Sequence, residues 1–140
     1  MQVTIEPRSL LTPEVITHLG ERVRLPEHAD DGGPARYWDW ESYIEKLYVA
    51  VATLDGANVY FAILTVDGPK DACSPSWWID SQYRGRRWGV HMVDALANFL
   101  RSRGYTGTAP IYVQTYLGRY DAQSATLVKR MRCHLPAAVG

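Results

Sequence analysis

Residues 76–103 constrain the fold most strongly, because they read as a strand, a basic turn and a helix in direct succession. The apolar residues 77–79 are typical of a buried strand. Apolar residues then recur at helical spacing, and Gly104 follows where a helix end favours a residue that tolerates positive φ. These spaced residues are Val90, Val93, Leu96, Ala97 and Leu100. A strand that leads into a helix in this way is typical of an α/β protein.

The turn between this strand and this helix is rich in arginine and glycine. Arg84, Arg86 and Arg87 alternate with Gly85 and precede Gly89. The N–H groups of a helix's first turn and the helix dipole favour a bound anion, and guanidinium donors suit phosphate. The turn therefore predicts a site for a phosphate-bearing ligand. The alternative is a solvated helix start.

The first part of the chain predicts a strand, two helices and a loop. Residues 2–6 alternate polar and apolar side chains, which indicates a short first strand. Thr12 and Pro13 are typical of a helix start, and that helix is expected to run to the next proline. Residues 27–34 predict a polar loop with two adjacent glycines. Residues 36–47 predict a second helix with an aromatic-rich start.

The second part of the chain predicts the remaining strands and helices. Residues 48–54 and 58–66 are rich in strand-forming residues, and the turn at 55–58 would join them as a hairpin. Residues 111–115 predict a further strand and residues 122–131 a last helix. The order β-α-α-β-β-β-α-β-α predicts an α/β fold with a mixed central sheet flanked by helices.

Composition sets limits on the function. The 140 residues are 46% hydrophobic and 21% charged, which favours one ordinary globular domain over residues 1–140. We expect a cytoplasmic protein without a membrane span, because no apolar run is long enough and the N-terminus lacks a signal-like segment. The histidines and cysteines lack ligand spacing, so no metal is expected. The net charge of zero argues against nucleic acid as a partner.

The turn and its surroundings resemble the acetyl-CoA signature of the GNAT superfamily of N-acetyltransferases. That signature is Gln or Arg, two residues, Gly, one residue, and then Gly or Ala. Arg84 and Gly89 match its first and last positions, whereas Arg87 stands where the family has its middle glycine. Residues 79–85 resemble a wider form of the motif, in which an apolar strand residue precedes a short turn and Arg-Gly. In the last helix, Leu127 matches the family outright.

The resemblance implies a GNAT-like acyltransferase fold with acetyl-CoA as cosubstrate. In such proteins the fourth strand splays from the fifth, and its freed backbone groups pair with the pantetheine arm. Trp78, Ile79 and Asp80 would line that wedge. The pyrophosphate would lie on the backbone N–H groups of the turn. The turn residues implied are Arg84, Gly85, Arg86, Arg87, Trp88 and Gly89.

The resemblance also implies the reaction, which is acetyl transfer to a primary amine. A base takes the amine proton while the nitrogen attacks the thioester carbonyl. Asp80 is the implied base, with Asp39 and Glu41 as rivals. Tyr116 and Tyr120 are the nearest candidates for the acid that protonates the leaving thiolate.

The acceptor would meet an aromatic and acidic segment that lies where the family has its acceptor loop. Its rings and carboxylates would hold an ammonium group by cation–π contact and ion pairing. The acceptor would be a small amine or an amine-bearing peptide or protein. Anchoring to the core explains the aromatic residues equally well. The residues concerned are Tyr37, Trp38, Asp39, Trp40 and Glu41.

Four departures from the family favour an alternative, a catalytically inactive GNAT-like protein with a binding or structural role. Arg87 replaces a glycine, Val128 stands where the family commonly has its acidic tyrosine, and Arg132 stands in the register of the family's closing glycine. The family closes with a further hairpin over the acceptor site, but only residues 134–140 follow the last predicted helix. Either that site is open, or a second copy of the chain or another protein completes it.

Overall fold

A computed structural model describes residues 1–109 and 122–137, in which four strands form one sheet. The strands are β1 (Gln2–Pro7), β2 (Leu47–Leu54), β3 (Ala57–Asp67) and β4 (Ser74–Ile79). They lie in sequence order, and each neighbouring pair is antiparallel. The predicted α/β class and these four predicted strands are confirmed.

Three α-helices lie where the sequence predicts helices. They are α1 (Pro13–Val23), α2 (Trp88–Ser102) and α3 (Ala122–His134). The Thr12 hydroxyl caps α1 by accepting a hydrogen bond from the Val15 N–H at 3.4 Å. Gly104 ends α2 with a φ of 87°, in the left-handed region where glycine is favoured.

The hairpin between β2 and β3 turns as predicted. Asp55 and Gly56 both have positive φ, at 50° and 81°. Two successive positive φ values match the twist of the paired strands, and Asp-Gly is the preferred sequence for such a turn.

The two faces of the sheet have separate apolar layers. Ala50 and Ala52 of β2 pack with α2 and α3 on one face, whereas Val49 and Val51 pack with α1 and Trp38 on the other. The alternation follows from the two-residue period of a strand. Neighbouring tryptophans in β4 confirm it, because Trp77 belongs to the first layer and Trp78 to the second.

The predicted second helix over residues 36–47 is wrong. The segment forms two short 3₁₀ helices instead, Gly33–Tyr37 and Glu41–Lys46. Between them Trp40 is extended, with φ −83° and ψ 115°. This break lets Trp38 enter the core while the neighbouring aromatic rings pack on the surface, and aromatic residues are weak helix formers.

The expected mixed sheet is only partly visible, because the predicted strand at 111–115 lies outside the described residues. Parallel pairing is present at isolated positions, where Thr108 bridges Cys73 on one side and Ala137 on the other. No helix in the described part of the chain has the length and apolar character needed to span a bilayer.

Candidate functional site

The candidate site is the turn that joins β4 to α2. After β4 a short 3₁₀ helix forms over Ser81–Tyr83, Gly85 adopts a φ of 74°, and α2 begins at Trp88. The N-cap residue of α2 is Arg87, and no side chain caps the helix. The first-turn N–H groups have no partner within a helix, so they stay available to an anion.

Two arginines of this turn have exposed side chains without a described bonding partner. The Arg86 and Arg87 side chains make no hydrogen bond or ion pair with any other described residue. Both lie directly before the uncapped start of α2. Two free guanidinium groups beside a helix N-terminus form an electropositive surface suited to an anion.

Arg84 behaves differently, because its side chain is already bonded inside the protein. Its Nε donates to the Ile79 carbonyl at 2.6 Å, and its Nη2 donates to Asp31 Oδ2 at 2.8 Å. Its backbone N–H donates to the Ser81 carbonyl at 3.2 Å. The structure therefore separates Arg84 from Arg86 and Arg87, with which the sequence grouped it.

The remaining residues of the turn pack against the sheet. A Cβ atom on Gly89 would lie 3.0 Å from Leu127 Cδ1 and 3.4 Å from Ile79 Cδ1, so this glycine lets α2 approach α3 and β4. The Trp88 ring stacks on Tyr83, with centroids 4.6 Å apart. Gly89 and Trp88 thus hold the start of α2 in place on the sheet.

Directly beneath the turn, Asp80 is buried in a bidentate ion pair. Arg22 of α1 donates through Nε and Nη2 to the two carboxylate oxygens, each at 2.6 Å, and only 1% of the Asp80 side chain is exposed. Burial acts to raise the pKa of Asp80, but the hydrogen bonds from Arg22 and Gln82 outweigh it and lower the pKa. This geometry orients the turn, and the role of Asp80 as base stays a prediction.

Asp31 connects the segment after α1 to the turn. Its Oδ2 lies 2.6 Å from His28 Nδ1 and accepts hydrogen bonds from Trp78 Nε1 at 2.9 Å and from Arg84. Burial acts to raise the pKa of Asp31, and these hydrogen bonds, led by that of His28, lower it. Asp31 is thus the acceptor at which three separate segments of the chain meet.

His28 is fully enclosed between the two carboxylates. Its Nδ1 faces Asp31, and its Nε2 lies 3.6 Å from Asp80 Oδ1 and accepts the Ser81 N–H at 3.4 Å. Because Nε2 accepts, the ring proton is assigned to Nδ1. We call these five side chains the ionic cluster: Arg22, His28, Asp31, Asp80 and Arg84.

Sequence reasoning missed most of this cluster. It treated residues 27–34 as a polar loop, whereas His28 is buried and Asp31 is bonded to three partners. The one local signal is the spacing of His28 and Asp31, three positions apart. Arg22 and Asp80 are 58 positions apart, and no local pattern links them.

Trp78 and Ile79 of the predicted cofactor wedge are held by the protein itself. Trp78 is buried, and its ring lies edge-on to His28 with centroids 4.8 Å apart. Ile79 pairs with Ala62 of β3. Among the described strands, β4 is at the edge of the sheet, and the contact of pantetheine with it stays a prediction.

The predicted acceptor residues fall into different environments. Trp38 is buried in the core and donates from Nε1 to the Ile16 carbonyl at 3.2 Å. Tyr37 stacks on Tyr43 with centroids 4.2 Å apart, and Trp40 packs edge-on against Tyr37. The structure therefore removes Trp38 from the surface and keeps Tyr37 and Trp40 there.

The two acidic acceptor residues are exposed, and one of them is paired. Asp39 forms an ion pair with Arg24, and both side chains are more than half exposed. Glu41 is exposed at the start of the second 3₁₀ helix. The candidate acids Tyr116 and Tyr120 lie outside the described residues.

Residues 1–109 and 122–137 contain no group of three or more His, Cys, Asp or Glu side chains that could hold a metal ion. Comparison of the chain with protein-family models, with curated proteins and with solved structures found no match. The described residues form an α/β protein in which two arginines with no described bonding partner precede the uncapped start of α2.

Proposed function

We propose that the chain binds acetyl-CoA at the start of α2 and transfers its acetyl group to a primary amine, as an N-acetyltransferase of the GNAT type in the cytoplasm. One observation carries the proposal. Arg86 and Arg87 are exposed and free of described partners at a helix N-terminus that no side chain caps. A diphosphate needs such an array of charged and backbone donors.

The connection that follows α2 gives further support. Cys73, just before β4, donates its N–H to the Gly107 carbonyl at 3.1 Å and accepts the Ala109 N–H at 2.8 Å. The chain therefore returns from α2 to lie parallel to the start of β4. A strand followed by a helix and a parallel return is the crossover unit of α/β proteins, which supports the α/β arrangement that the proposal needs.

The proposed reaction has a simple balance of bonds. The amine nitrogen forms a bond to the thioester carbonyl carbon, the carbon–sulfur bond breaks, and the amine proton passes to a base. Asp80, Asp39 and Glu41 stay candidates for that base. Asp39 and Glu41 are exposed, whereas both oxygens of Asp80 already accept hydrogen bonds.

A second candidate function is binding without catalysis. The observation that favours it is the buried Asp80–Arg22 pair, because a carboxylate with a lowered pKa that is fully engaged is a poor proton acceptor. Val128, at the position of the family's usual tyrosine, is buried and cannot donate a proton. On this reading the chain holds the cofactor and serves a second copy or another protein as a component.

Calorimetric titration of the full chain with acetyl-CoA tests the binding step. The double variant Arg86→Gln/Arg87→Gln is expected to lose most of the heat of binding. Arg101→Gln/Arg103→Gln removes the same charge at the other end of α2 and is the matched control, expected to bind normally. No heat with the unmodified chain at millimolar cofactor would overturn the proposal.

Turnover separates the two candidate functions. Release of free thiol from acetyl-CoA is measured with polyamines, aminoglycosides and lysine peptides as acceptors. Thiol release that depends on an added amine supports the transferase. Tight binding of acetyl-CoA with no thiol release across this panel supports the non-catalytic alternative.

A further inference from the structure

Arg8 is a buried cation whose guanidinium group has no hydrogen-bonding partner among residues 1–109 and 122–137. It begins a 3₁₀ helix, Arg8–Leu10, directly after β1, and only 8% of the residue is exposed. Its Nε is buried and makes no hydrogen bond, and no described residue accepts a hydrogen bond from its guanidinium group. The guanidinium group lies over the face of Trp38, whose ring centroid is 4.5 Å from Cζ.

This arrangement is unlike that of the other buried ionic groups. Buried charges are normally paired, because an unpaired one loses its hydration without compensation. Asp80 follows that rule through Arg22. Burial lowers the pKa of Arg8, and the negative charge of Asp39 acts in the opposite direction without cancelling this effect. Asp39 itself forms an ion pair with Arg24. No carboxylate in the described part of the chain therefore hydrogen-bonds to Arg8.

The guanidinium group lies over an anchored ring. Trp38 is held beneath it by the hydrogen bond to Ile16, and the Nε of Arg8 is buried. Of the three guanidinium nitrogens, only Nε is fully buried without a hydrogen bond. A rigid fork with two free donors binds a planar oxyanion at low entropic cost, since little side-chain freedom is lost.

The surroundings favour an organic anion with one negative charge. The guanidinium group of Arg8 carries one positive charge, and Asp39, the acid that interacts with it, is already paired with Arg24, so one carboxylate would neutralise Arg8. Apolar surface is exposed nearby in the chain, since Leu10 is 77% exposed and Trp40, two positions after Trp38, is 51% exposed. Phosphate at neutral pH carries more charge than this group can neutralise.

We infer that Arg8 anchors a binding site for a small organic carboxylate, held end-on by the terminal guanidinium nitrogens above Trp38. The inference does not rest on acetyl transfer, because Arg8 has no role in that proposal, although Trp38, Asp39 and Trp40 also belong to the predicted acceptor segment. It assigns a function to a buried charge that the fold alone does not explain.

Thermal unfolding of the full chain in sodium acetate and in sodium chloride of equal ionic strength tests the site. A ligand that binds only the folded state raises the Tm by mass action. We expect acetate at saturation to raise the Tm by about 3 °C over chloride. Arg8→Met keeps the packing on Trp38 without the charge, and this variant is expected to lose the acetate effect apart from the general difference between the two salts.

Two further variants keep the result decisive. Arg103→Met is the matched control, because Arg103 also lies over an aromatic ring, that of Phe99 at 4.3 Å, and it should retain the full acetate effect. Arg8→Lys keeps the charge but replaces the planar guanidinium group by an ammonium group, so it should lose at least half of the acetate-induced rise in Tm. This variant also provides a test if Arg8→Met does not fold.

Three results would overturn the inference. They are an equal acetate effect in Arg8→Met and the unmodified chain, no acetate effect in the unmodified chain, and a phosphate effect that depends on Arg8 and exceeds the acetate effect that depends on Arg8. Only the part that Arg8→Met removes is compared, because phosphate also stabilises folded proteins without a site. The third result would show that the site selects a doubly charged anion. If Arg8→Lys kept the full rise in Tm, the claim that the terminal guanidinium nitrogens hold the carboxylate would be wrong.

Discussion

Arg84 and the pair Arg86–Arg87 lie within four positions of one turn, yet the structure uses them in opposite ways. Arg84 turns back to bond Asp31 and the Ile79 carbonyl, whereas Arg86 and Arg87 face outward without a described partner. The difference arises from the ionic cluster, which occupies the space on one side of the turn. Within one basic turn, the Arg84 side chain thus stabilises the fold, whereas the Arg86 and Arg87 side chains are exposed and have no described bonding partner.

Acidification should have the largest effect on stability, because it protonates the carboxylates of the ionic cluster that holds Arg84. The folded-state pKa values of Asp31 and Asp80 are lowered, and hydrogen bonds from Arg130 lower that of Asp94 to about 2. A lowered folded pKa contributes stability above the unfolded pKa of about 4, and that stability is lost as the pH falls. Denaturant titrations should show the free energy of unfolding falling steadily between about pH 4 and pH 2. Stability that rises over this range would contradict the account.

Replacement of Asp80 by Asn comes next in size. It leaves Arg22 without its charged partner and weakens the cap on Gln82, so we expect the free energy of unfolding to fall by about 3 kcal/mol. Asp94→Asn is the control, because Asp94 pairs with Arg130 on a partly exposed surface between α2 and α3. It should cost less than about 1 kcal/mol. Equal losses measured by urea unfolding would show that burial of the Asp80 pair is unimportant.

Replacement of Arg84 by Gln should have a smaller effect. It removes the hydrogen bonds to Asp31 and Ile79 but leaves Asp31 with His28 and Trp78, so a loss of about 1 kcal/mol is expected. Arg86→Gln should change the free energy of unfolding by less than about 0.5 kcal/mol, because it removes no described contact. If the two variants were equally stable, the division between Arg84 and its neighbour would be wrong.

Much of the fold could be predicted from local patterns. Strand alternation, the Asp55–Gly56 turn, the Thr12 cap and the apolar spacing of α2 are short-range signals, and all were confirmed. Residues 36–47 could not be predicted in the same way. Their spacing fits a helix and the weak helix propensity of aromatic residues only lowers that preference, whereas the position of the break at Trp40 follows from burial of Trp38 and surface packing of Tyr37.

The candidate site was only partly predictable for the same reason. Position alone places Arg86 and Arg87 before a helix, so the sequence located the exposed half of the turn. The engagement of Arg84 depends on Asp31, which is 53 positions away and arrives through packing of the segment after α1. An ion pair between residues far apart in the chain produces no repeating pattern in the sequence. The partner of a charged residue such as Arg84 therefore could not be predicted and is seen only in the structure.

The central claim is the proposal that Arg86 and Arg87 would bind acetyl-CoA, whereas the side chain of Arg84 bonds within the turn. Calorimetric titration of acetyl-CoA into Arg86→Gln/Arg87→Gln and into Arg84→Gln tests it directly. The account predicts that the double variant raises the Kd at least roughly tenfold, since each charge-assisted hydrogen bond contributes about 1.5 kcal/mol or more. It predicts a change below about threefold for Arg84→Gln. A large loss of affinity in Arg84→Gln with normal binding by the double variant would contradict it.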